Sequence, residues 1–175
     1  MSIASIGYLR IAATDTAAWM TFGTEILGLM DAGREDAAGA RFLRMDDHPF
    51  RFMLEPAETD GLLAAGLECR DRSAWLDLCE RLRNAGHTLE NGDAAAAARR
   101  CVTAFVTLQD PCGNTLELYY GRRLDYAPLI SPTGVKRFIT GDEYTGDMGF
   151  GHAVLPTPDM EAAASFYTDL LGLGV

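Results

Sequence analysis

Residues 6–29 read IGYLRIAATDTAAWMTFGTEILGL, and residues 150–173 read FGHAVLPTPDMEAAASFYTDLLGL. The two stretches align without a gap at an offset of 144, so that Asp15 corresponds to Asp159 and Phe22 to Phe166. Each has a short apolar run, an acidic residue suited to cap a helix, apolar residues at helical spacing, and then a glycine. The sequence therefore predicts the same strand–helix unit at both ends of the chain.

A third copy of this unit lies between the other two. An offset of 56 puts Asp15 on Asp71 and Trp19 on Trp75. Three short apolar strands are predicted after each of the first two helices. Predicted strands lie at residues 6–13, 29–32, 40–45, 50–55, 87–90, 102–108 and 115–120, and a further one begins near residue 62. The alanine-rich loop at 92–100 suits a helical turn or a coil equally.

A strand–helix–strand–strand–strand unit cannot cover its own sheet face, so two such units must pair. We therefore predict an α+β fold of paired βαβββ modules, residues 4–56 and 61–120, with Trp19 and Trp75 in equivalent buried positions. The expected division is a first domain at 1–120, a connector rich in proline and glycine at 121–147, and the truncated start of a second domain at 148–175.

The composition excludes several classes of partner. The formal net charge is −10, which argues against nucleic acid, because phosphate binding relies on clustered Lys and Arg. There is no run of about 18 apolar residues that could cross a membrane. No export signal is visible, and the four cysteines do not form Cys-x-x-Cys pairs, so a cytoplasmic protein with reduced thiols is expected.

Several motifs resemble the vicinal oxygen chelate superfamily: AAWMTFGTEILGL, its echo ASFYTDLLGL, and DPCGNTLELYYG. More narrowly, GYLRIAATDTAAW, VTAFVTLQDPCGNTLELYYG and KRFITGDEYTGDMGFGHAVL are similar to the N-terminal half of two-domain type I extradiol ring-cleavage dioxygenases, in the branch acting on 2,3-dihydroxybiphenyl and 1,2-dihydroxynaphthalene. The resemblance implies a non-catalytic first domain and a homo-oligomer. It also implies Fe(II) held by two histidines and a glutamate, with a catechol-type diol and O2 as substrates.

In that family the first metal ligand lies in a Gly-x-Gly-His strand, which here is Gly149-Phe150-Gly151-His152. The resemblance therefore implies that His152 is a metal ligand. Val154 shares the strand face of His152, because side chains alternate with a period of two, and is expected beside the substrate. The remaining ligands and the acid–base histidine have no counterpart in this sequence, so the chain alone is expected to be inactive.

The complete first domain is predicted to hold no metal. The positions that module symmetry offers are Tyr8, Ala64 and Glu117, and one carboxylate with an alanine and a tyrosine cannot make a metal site. Glu117 is therefore interpreted as structural. His48 is predicted to lie in a solvated turn and His87 just past a helix end, neither with a catalytic role.

Two alternatives stay open at this level. A glyoxalase-like metal-dependent isomerase or lyase would place its metal inside the complete domain. A non-enzymatic small-molecule-binding module would use the cleft between the two modules without metal.

The helix predicted at the end of the chain has an apolar stripe that must be covered. Met160, Ala163, Ala164, Tyr167 and Leu170 form one apolar stripe. The stripe is expected to need strands that this chain lacks, and so to pack against another copy or to belong to a longer protein.

Overall fold

The computed structural model describes residues 2–138 and 151–174. Within these residues, one mixed sheet has eight strands in the order β2-β3-β4-β1-β5-β8-β7-β6. The strands are β1 (Ile3–Ala13), β2 (Met30–Glu35), β3 (Arg41–Arg44), β4 (Phe52–Pro56), β5 (Gly61–Cys69), β6 (Glu90–Asn91), β7 (Ala104–Gln109) and β8 (Thr115–Tyr120). The helices are α1 (Thr16–Thr21), α2 (Arg72–Asn84), α3 (Ala94–Arg99) and α4 (Met160–Ser165).

The sheet consists of two similar halves. In each half the first strand pairs in parallel with the last, β1 with β4 and β5 with β8. The halves meet where β1 and β5 run antiparallel. Trp19 and Trp75 both lie half-buried against hydrophobic clusters. The predicted α+β fold of paired βαβββ modules is confirmed, although the two tryptophans are only partly buried.

The helix caps follow the repeat. Asp15, Asp71 and Asp159 each accept a hydrogen bond from the backbone N–H three residues later. The outer two helices also end alike. α1 and α4 each continue into a five-residue π-helical turn, at Phe22–Ile26 and Phe166–Leu170.

The two faces of the sheet have different neighbours. On the helix face, α1 packs through Met20 against Leu43 and Leu54, and α2 packs through Leu78 and Leu82 on the second half. The opposite face, called the inner face below, holds an aromatic cluster with α3 packed on it through Ala97. Its main members are Tyr8, Phe42, Phe50, Met53, Phe105 and Tyr119.

Most predicted strands are present with shifted ends, but one is reduced to two residues and the strand predicted at the start of the third module is absent from residues 151–157. Of the strand predicted at 87–90, only Glu90 belongs to the two-residue β6. Residues 151–157 were predicted to begin the third module as a strand, but they are not part of the sheet. A strand exists only through hydrogen bonds to a neighbour, and the local pattern of apolar residues does not supply that neighbour. The alanine-rich loop is helical, as α3.

The tail helix packs on the chain's own helix face, so its buried residues are covered without another copy, while the expected longer protein stays a prediction. Phe166 and Leu171 are buried in the same cluster as Leu78 and Leu82 of α2. The predicted stripe is also wrong in part, because Met160 and Ala164 are exposed while Phe166 is buried. Met160 and Ala164 precede the π-helical turn, so its shift of the periodicity applies only to Tyr167 and Leu170. In the described part of the chain, no helix is long and apolar enough to cross a bilayer.

Candidate functional site

The inner face holds a buried ion-pair cluster centred on Glu117 of β8, which is fully buried. Arg100 follows α3 and donates two hydrogen bonds to the Glu117 carboxylate, from Nε to Oε2 and from Nη2 to Oε1, both at 2.6 Å. Arg10 of β1 donates from Nη1 to Oε1 at 2.7 Å. The Tyr8 hydroxyl donates to Oε2 at 2.6 Å. Both oxygens of Glu117 are therefore occupied by donors from three side chains.

The protonation states of this cluster follow from its geometry. Burial works to raise the pKa of Glu117, but the hydrogen bonds and charge of Arg100, followed by the charge of Arg10, outweigh it and hold that pKa below its ordinary value. Burial, and then the charge of Glu117, raise the pKa of Tyr8 well above its ordinary value. The cluster thus holds an ionised carboxylate beside a neutral phenol. Neither group exchanges a proton near neutral pH, which does not suit acid–base catalysis.

The ion pairs extend along the inner face. Arg10 Nε also donates to Glu55 Oε1 at 2.7 Å, and Arg99 Nη1 donates to Glu55 Oε2 at 2.7 Å. The Nε of Arg99 donates to Asp36. We call this set the inner-face cluster: Tyr8, Arg10, Asp36, Glu55, Arg99, Arg100 and Glu117. Its arginines balance its carboxylates, so it carries no excess charge to attract a cation.

The structure brings together two of the three positions considered for a metal. Tyr8 and Glu117 are joined by a direct hydrogen bond. The register, however, pairs Tyr8 with Gly66 and Gly66 with Glu117, so that Gly66 rather than Ala64 lies between them. A Cβ at Gly66 would lie 2.6 Å from the Tyr8 ring. The phenol ring therefore fills the space over β5 from which a second ligand would have to reach Glu117.

Sequence reasoning missed the two arginines that hold Glu117. Arg10 lies two residues after Tyr8 on the same strand face, so strand periodicity could have found it. Arg100 carried no such signal. It lies at the C-terminal end of α3, beside Cys101, which has a φ of 58°.

A second polar cluster surrounds His48, which is buried and does not lie in a solvated turn as predicted. Its Nδ1 lies 3.4 Å from Asp46 Oδ1, and its Nε2 lies 3.8 Å from Glu68 Oε2. Arg51 donates from Nε to Asp46 at 2.9 Å, and Arg122 donates from Nη1 to Glu68 at 2.9 Å. These arginines compensate the two carboxylates, and so allow the turn to be buried.

The connector is fastened beside this second cluster. The buried Arg44 donates from Nη2 to the carbonyls of Asp125 and Ala127, at 2.6 and 2.7 Å. A single guanidinium therefore holds the start of the connector against the end of β3.

His152 and Val154 lie in the extended segment 151–157. Both are exposed, Val154 to 84%. Gly149 and Phe150, which complete the Gly-x-Gly-His motif, lie outside the described residues. Within residues 2–138 and 151–174, no group of three His, Cys, Asp or Glu side chains could hold a metal ion. The described residues thus offer His152 as one candidate ligand and do not by themselves fit a complete iron site.

The segment carrying His152 is joined by hydrogen bonds to the turn at residues 110–114. Asp110 accepts hydrogen bonds from the backbone N–H groups of Cys112 and Asn114, both at 2.8 Å. Its Oδ2 also accepts from the Tyr167 hydroxyl at 2.8 Å, while Asn114 Nδ2 donates to the Pro156 carbonyl at 2.9 Å. An apolar cavity of about 300 Å³ lies between this segment and the sheet.

Comparison with known proteins gives matches to both ends of the chain. Residues 6–56 match the family model described as Dihydroxybiphenyl dioxygenase BphC D1. Residues 149–175 match the Glyoxalase/Bleomycin resistance protein/Dioxygenase superfamily.

Similar proteins match along nearly the whole chain. An iron-dependent extradiol dioxygenase of Rhodococcus jostii (strain RHA1) is 40% identical over 98% of this chain and 55% of its own length. A biphenyl-2,3-diol 1,2-dioxygenase of Paraburkholderia xenovorans (strain LB400) is 39% identical over 98% of this chain and 56% of its own. The crystal structure of BphC, a halotolerant catechol dioxygenase, superposes with a TM-score of 0.88 at 29% identity, covering 98% of this chain and 55% of that one. The chain thus spans about half the length of the relatives it matches.

Proposed function

We propose that the protein belongs to the extradiol dioxygenases of the glyoxalase/bleomycin resistance/dioxygenase superfamily and acts in extradiol cleavage of a catechol-type diol. Biphenyl- and naphthalene-diols are the proposed substrate class, with O2 as co-substrate. The observation that carries the proposal is the order of the two family matches, with the superfamily match covering His152.

Iron is the proposed metal, since a relative at 40% identity is named iron-dependent. Bound Fe(II) would supply the sites at which diol and O2 meet. His152 is proposed as one of its ligands and Val154 as a residue beside the substrate. The exposure of both side chains leaves them accessible to further groups. The other ligands would have to come from residues beyond those of this chain, so residues 1–175 alone are proposed to be inactive.

Residues 1–120 are proposed as a non-catalytic domain, followed by a connector at 121–147 and the start of the catalytic domain at 148–175. The inner-face cluster supports this division, because Arg10 and Arg100 already neutralise Glu117. The same contacts count against a glyoxalase-like enzyme, whose metal would need that carboxylate. A metal-free binding module would need an open cleft, whereas Tyr8 and Tyr119 stack there at 5.3 Å. The free cysteines fit the reducing cytoplasm, which is the proposed location.

The test combines sequence and activity. The coding region downstream of residue 175 is expected to encode a histidine and a glutamate in the remainder of the second domain. The protein with that region should consume O2 and open the ring of 2,3-dihydroxybiphenyl when Fe(II) is supplied. His152→Ala should abolish turnover and lower iron content, while His87→Ala should change neither. An active His152→Ala protein with its full iron content would overturn the proposal.

A further inference from the structure

The extended segment at residues 151–157 has two faces with different surroundings. His152 and Val154 are exposed, whereas Ala153, Leu155 and Thr157 are half-buried. This alternation follows from the period of two that side chains have in an extended chain. The face opposite His152 lines an apolar cavity of about 300 Å³ between the segment and the sheet.

The floor of this cavity, called the tail cavity below, is formed by central strands of the sheet. Ile6 of β1, Ala65 and Leu67 of β5, and Leu116 of β8 line it. The last three side chains are buried, and the three strands are hydrogen-bonded to one another in the order β1-β5-β8. The floor is therefore an apolar surface held in position by the backbone of the sheet.

Both hydroxyl groups among the lining residues already donate hydrogen bonds within the chain. Thr157 Oγ1 donates to the Leu155 carbonyl at 3.1 Å, and the Tyr167 hydroxyl donates to Asp110 Oδ2 at 2.8 Å. Among the described residues, no charged side chain lines the tail cavity. A hydroxyl or charged group of a ligand would lose its hydration there without a matching partner. The lining therefore favours a ligand without polar groups.

The volume of the tail cavity indicates the size of the ligand. An apolar cavity of about 150 Å³ in a protein interior stays dry and binds benzene. The tail cavity has about 300 Å³, which is the lower end of the range found for small-molecule sites. It therefore suits an aromatic molecule of about two rings.

We propose that the tail cavity is a binding site for a two-ring aromatic hydrocarbon without hydroxyl groups, a ligand class distinct from the catechol-type diol. A bound hydrocarbon contacts Ala153 and Leu155, and so restrains the segment that carries His152 on its other face. The inference goes beyond the proposed function. It rests on the cavity and its lining, and it does not depend on iron, diol or ring cleavage.

Titration of the unaltered chain with naphthalene in a calorimeter tests the assignment. Saturable binding at one site is expected. The probe 2,3-dihydroxynaphthalene has the same rings and should bind at least tenfold more weakly, because its hydroxyl groups would be buried without partners. Absence of saturable naphthalene binding, or equal affinity for the two probes, would overturn the proposal.

A pair of matched variants locates the site. Ala153→Leu fills the tail cavity from the side of the segment and should weaken naphthalene binding at least tenfold. Ala164→Leu makes the same change at an exposed position of α4 that does not line the cavity, and it should leave the affinity unchanged. If Ala153→Leu left the affinity unchanged as well, the ligand would lie elsewhere and the proposal would be wrong.

NMR of the unaltered chain keeps the test decisive if Ala153→Leu displaces the segment. Naphthalene should cause ring-current shifts in the methyl signals of Leu116, Ala153 and Leu155, but not in those of Leu76, an exposed leucine of α2. Shifts confined to methyl groups outside the cavity would contradict the assignment.

The protein extended by its downstream coding region should show the same methyl shifts with naphthalene. Their loss would mean that later residues fill the tail cavity, and it would overturn the proposal for the longer protein. Because no turnover is measured, each result is separate from whether the intact protein is a dioxygenase.

Discussion

Glu117 illustrates how a carboxylate next to a potential metal position becomes structural. Its two oxygens accept from Arg10, Arg100 and Tyr8, and it is fully buried. Burying an ion pair often adds little net stability compared with apolar residues, whereas removing one partner leaves the others buried without compensation. The cluster is thus a constraint that any substitution at Glu117 must break.

Glu117→Gln should destabilise the protein by about 3–5 kcal/mol, because it leaves two partly desolvated guanidiniums without their shared counter-charge. Urea unfolding at pH 7 measures the effect. The matched control is Asp31→Asn, since Asp31 pairs with Arg41 at 3.4 Å and the two side chains are 43% and 34% exposed. A loss of less than about 1 kcal/mol is expected there. Equal losses in the two variants would contradict the assigned role.

Asp46 supplies a pH dependence of known sign. Burial works to raise its pKa, but the hydrogen bonds from His48 and Arg51 lower it well below its ordinary value. A carboxylate with a depressed folded-state pKa contributes stability above its unfolded pKa of about 3.9, and that stability is lost as pH falls toward the folded pKa.

Asp46→Asn should therefore cost about 1–3 kcal/mol at pH 7. The gap to the unaltered protein should narrow below about pH 4, because the Asp46 carboxylate then binds protons in the unfolded state while the folded state keeps it ionised. Free energies of unfolding from urea titrations between pH 7 and pH 3 measure this. A gap that stays constant over the whole range would show that the pKa of Asp46 is not depressed.

At the scale of elements, the sequence pattern predicted those features that depend only on residues close together in the chain. The three aspartate caps, the strand alternation and the offsets of 56 and 144 were sufficient for the paired βαβββ fold. The π-helical turns and the missing strand at 151–157 were not predictable in this way. Both depend on which partners the backbone finds, and apolar periodicity does not contain that information.

The inner-face cluster around Glu117 could also be predicted only in part. The symmetry of the two modules predicted that Tyr8 and Glu117 lie together, and they share a hydrogen bond. It could not give the register that puts Gly66 between them, since β-bulges shift the β1–β5 pairing near Tyr8. The register decides which β5 residue lies opposite Tyr8, so contacts across strands need the structure itself.

Gly66→Ala tests that register. The added methyl carbon would meet the Tyr8 ring at 2.6 Å, and overpacking of this kind costs about 1–3 kcal/mol. Gly61→Ala in the same strand is the control, because nothing lies within 4 Å of its Cβ position. Thermal unfolding should show a clear loss for Gly66→Ala alone. A stability loss confined to Gly61→Ala, or shared equally, would contradict the described packing.

At the scale of the whole molecule, the tail packs against the first domain's hydrophobic core even though its sequence repeats the start of a module. Phe166 and Leu171 share a cluster with β1, β5, α2 and β8. Tyr167 adds a hydrogen bond to Asp110. Because Phe166 and Leu171 pack against apolar residues of the same chain, the tail does not need another copy to be covered.

Phe166→Ala is the direct test of this arrangement. Loss of a buried aromatic ring costs about 3–5 kcal/mol, and here the loss should fall mainly on the tail, because α4 follows the domain in sequence and joins its cluster through few side chains. Amide exchange of residues 160–171 should accelerate strongly, whereas β1 and β5 should remain protected. Tyr167→Phe is the matched control: it removes only the bond to Asp110 and should accelerate the same amides by far less. If Phe166→Ala instead exposed β1 and β5 together with the tail, the helix would be a cooperative part of the domain core and not a separately docked element.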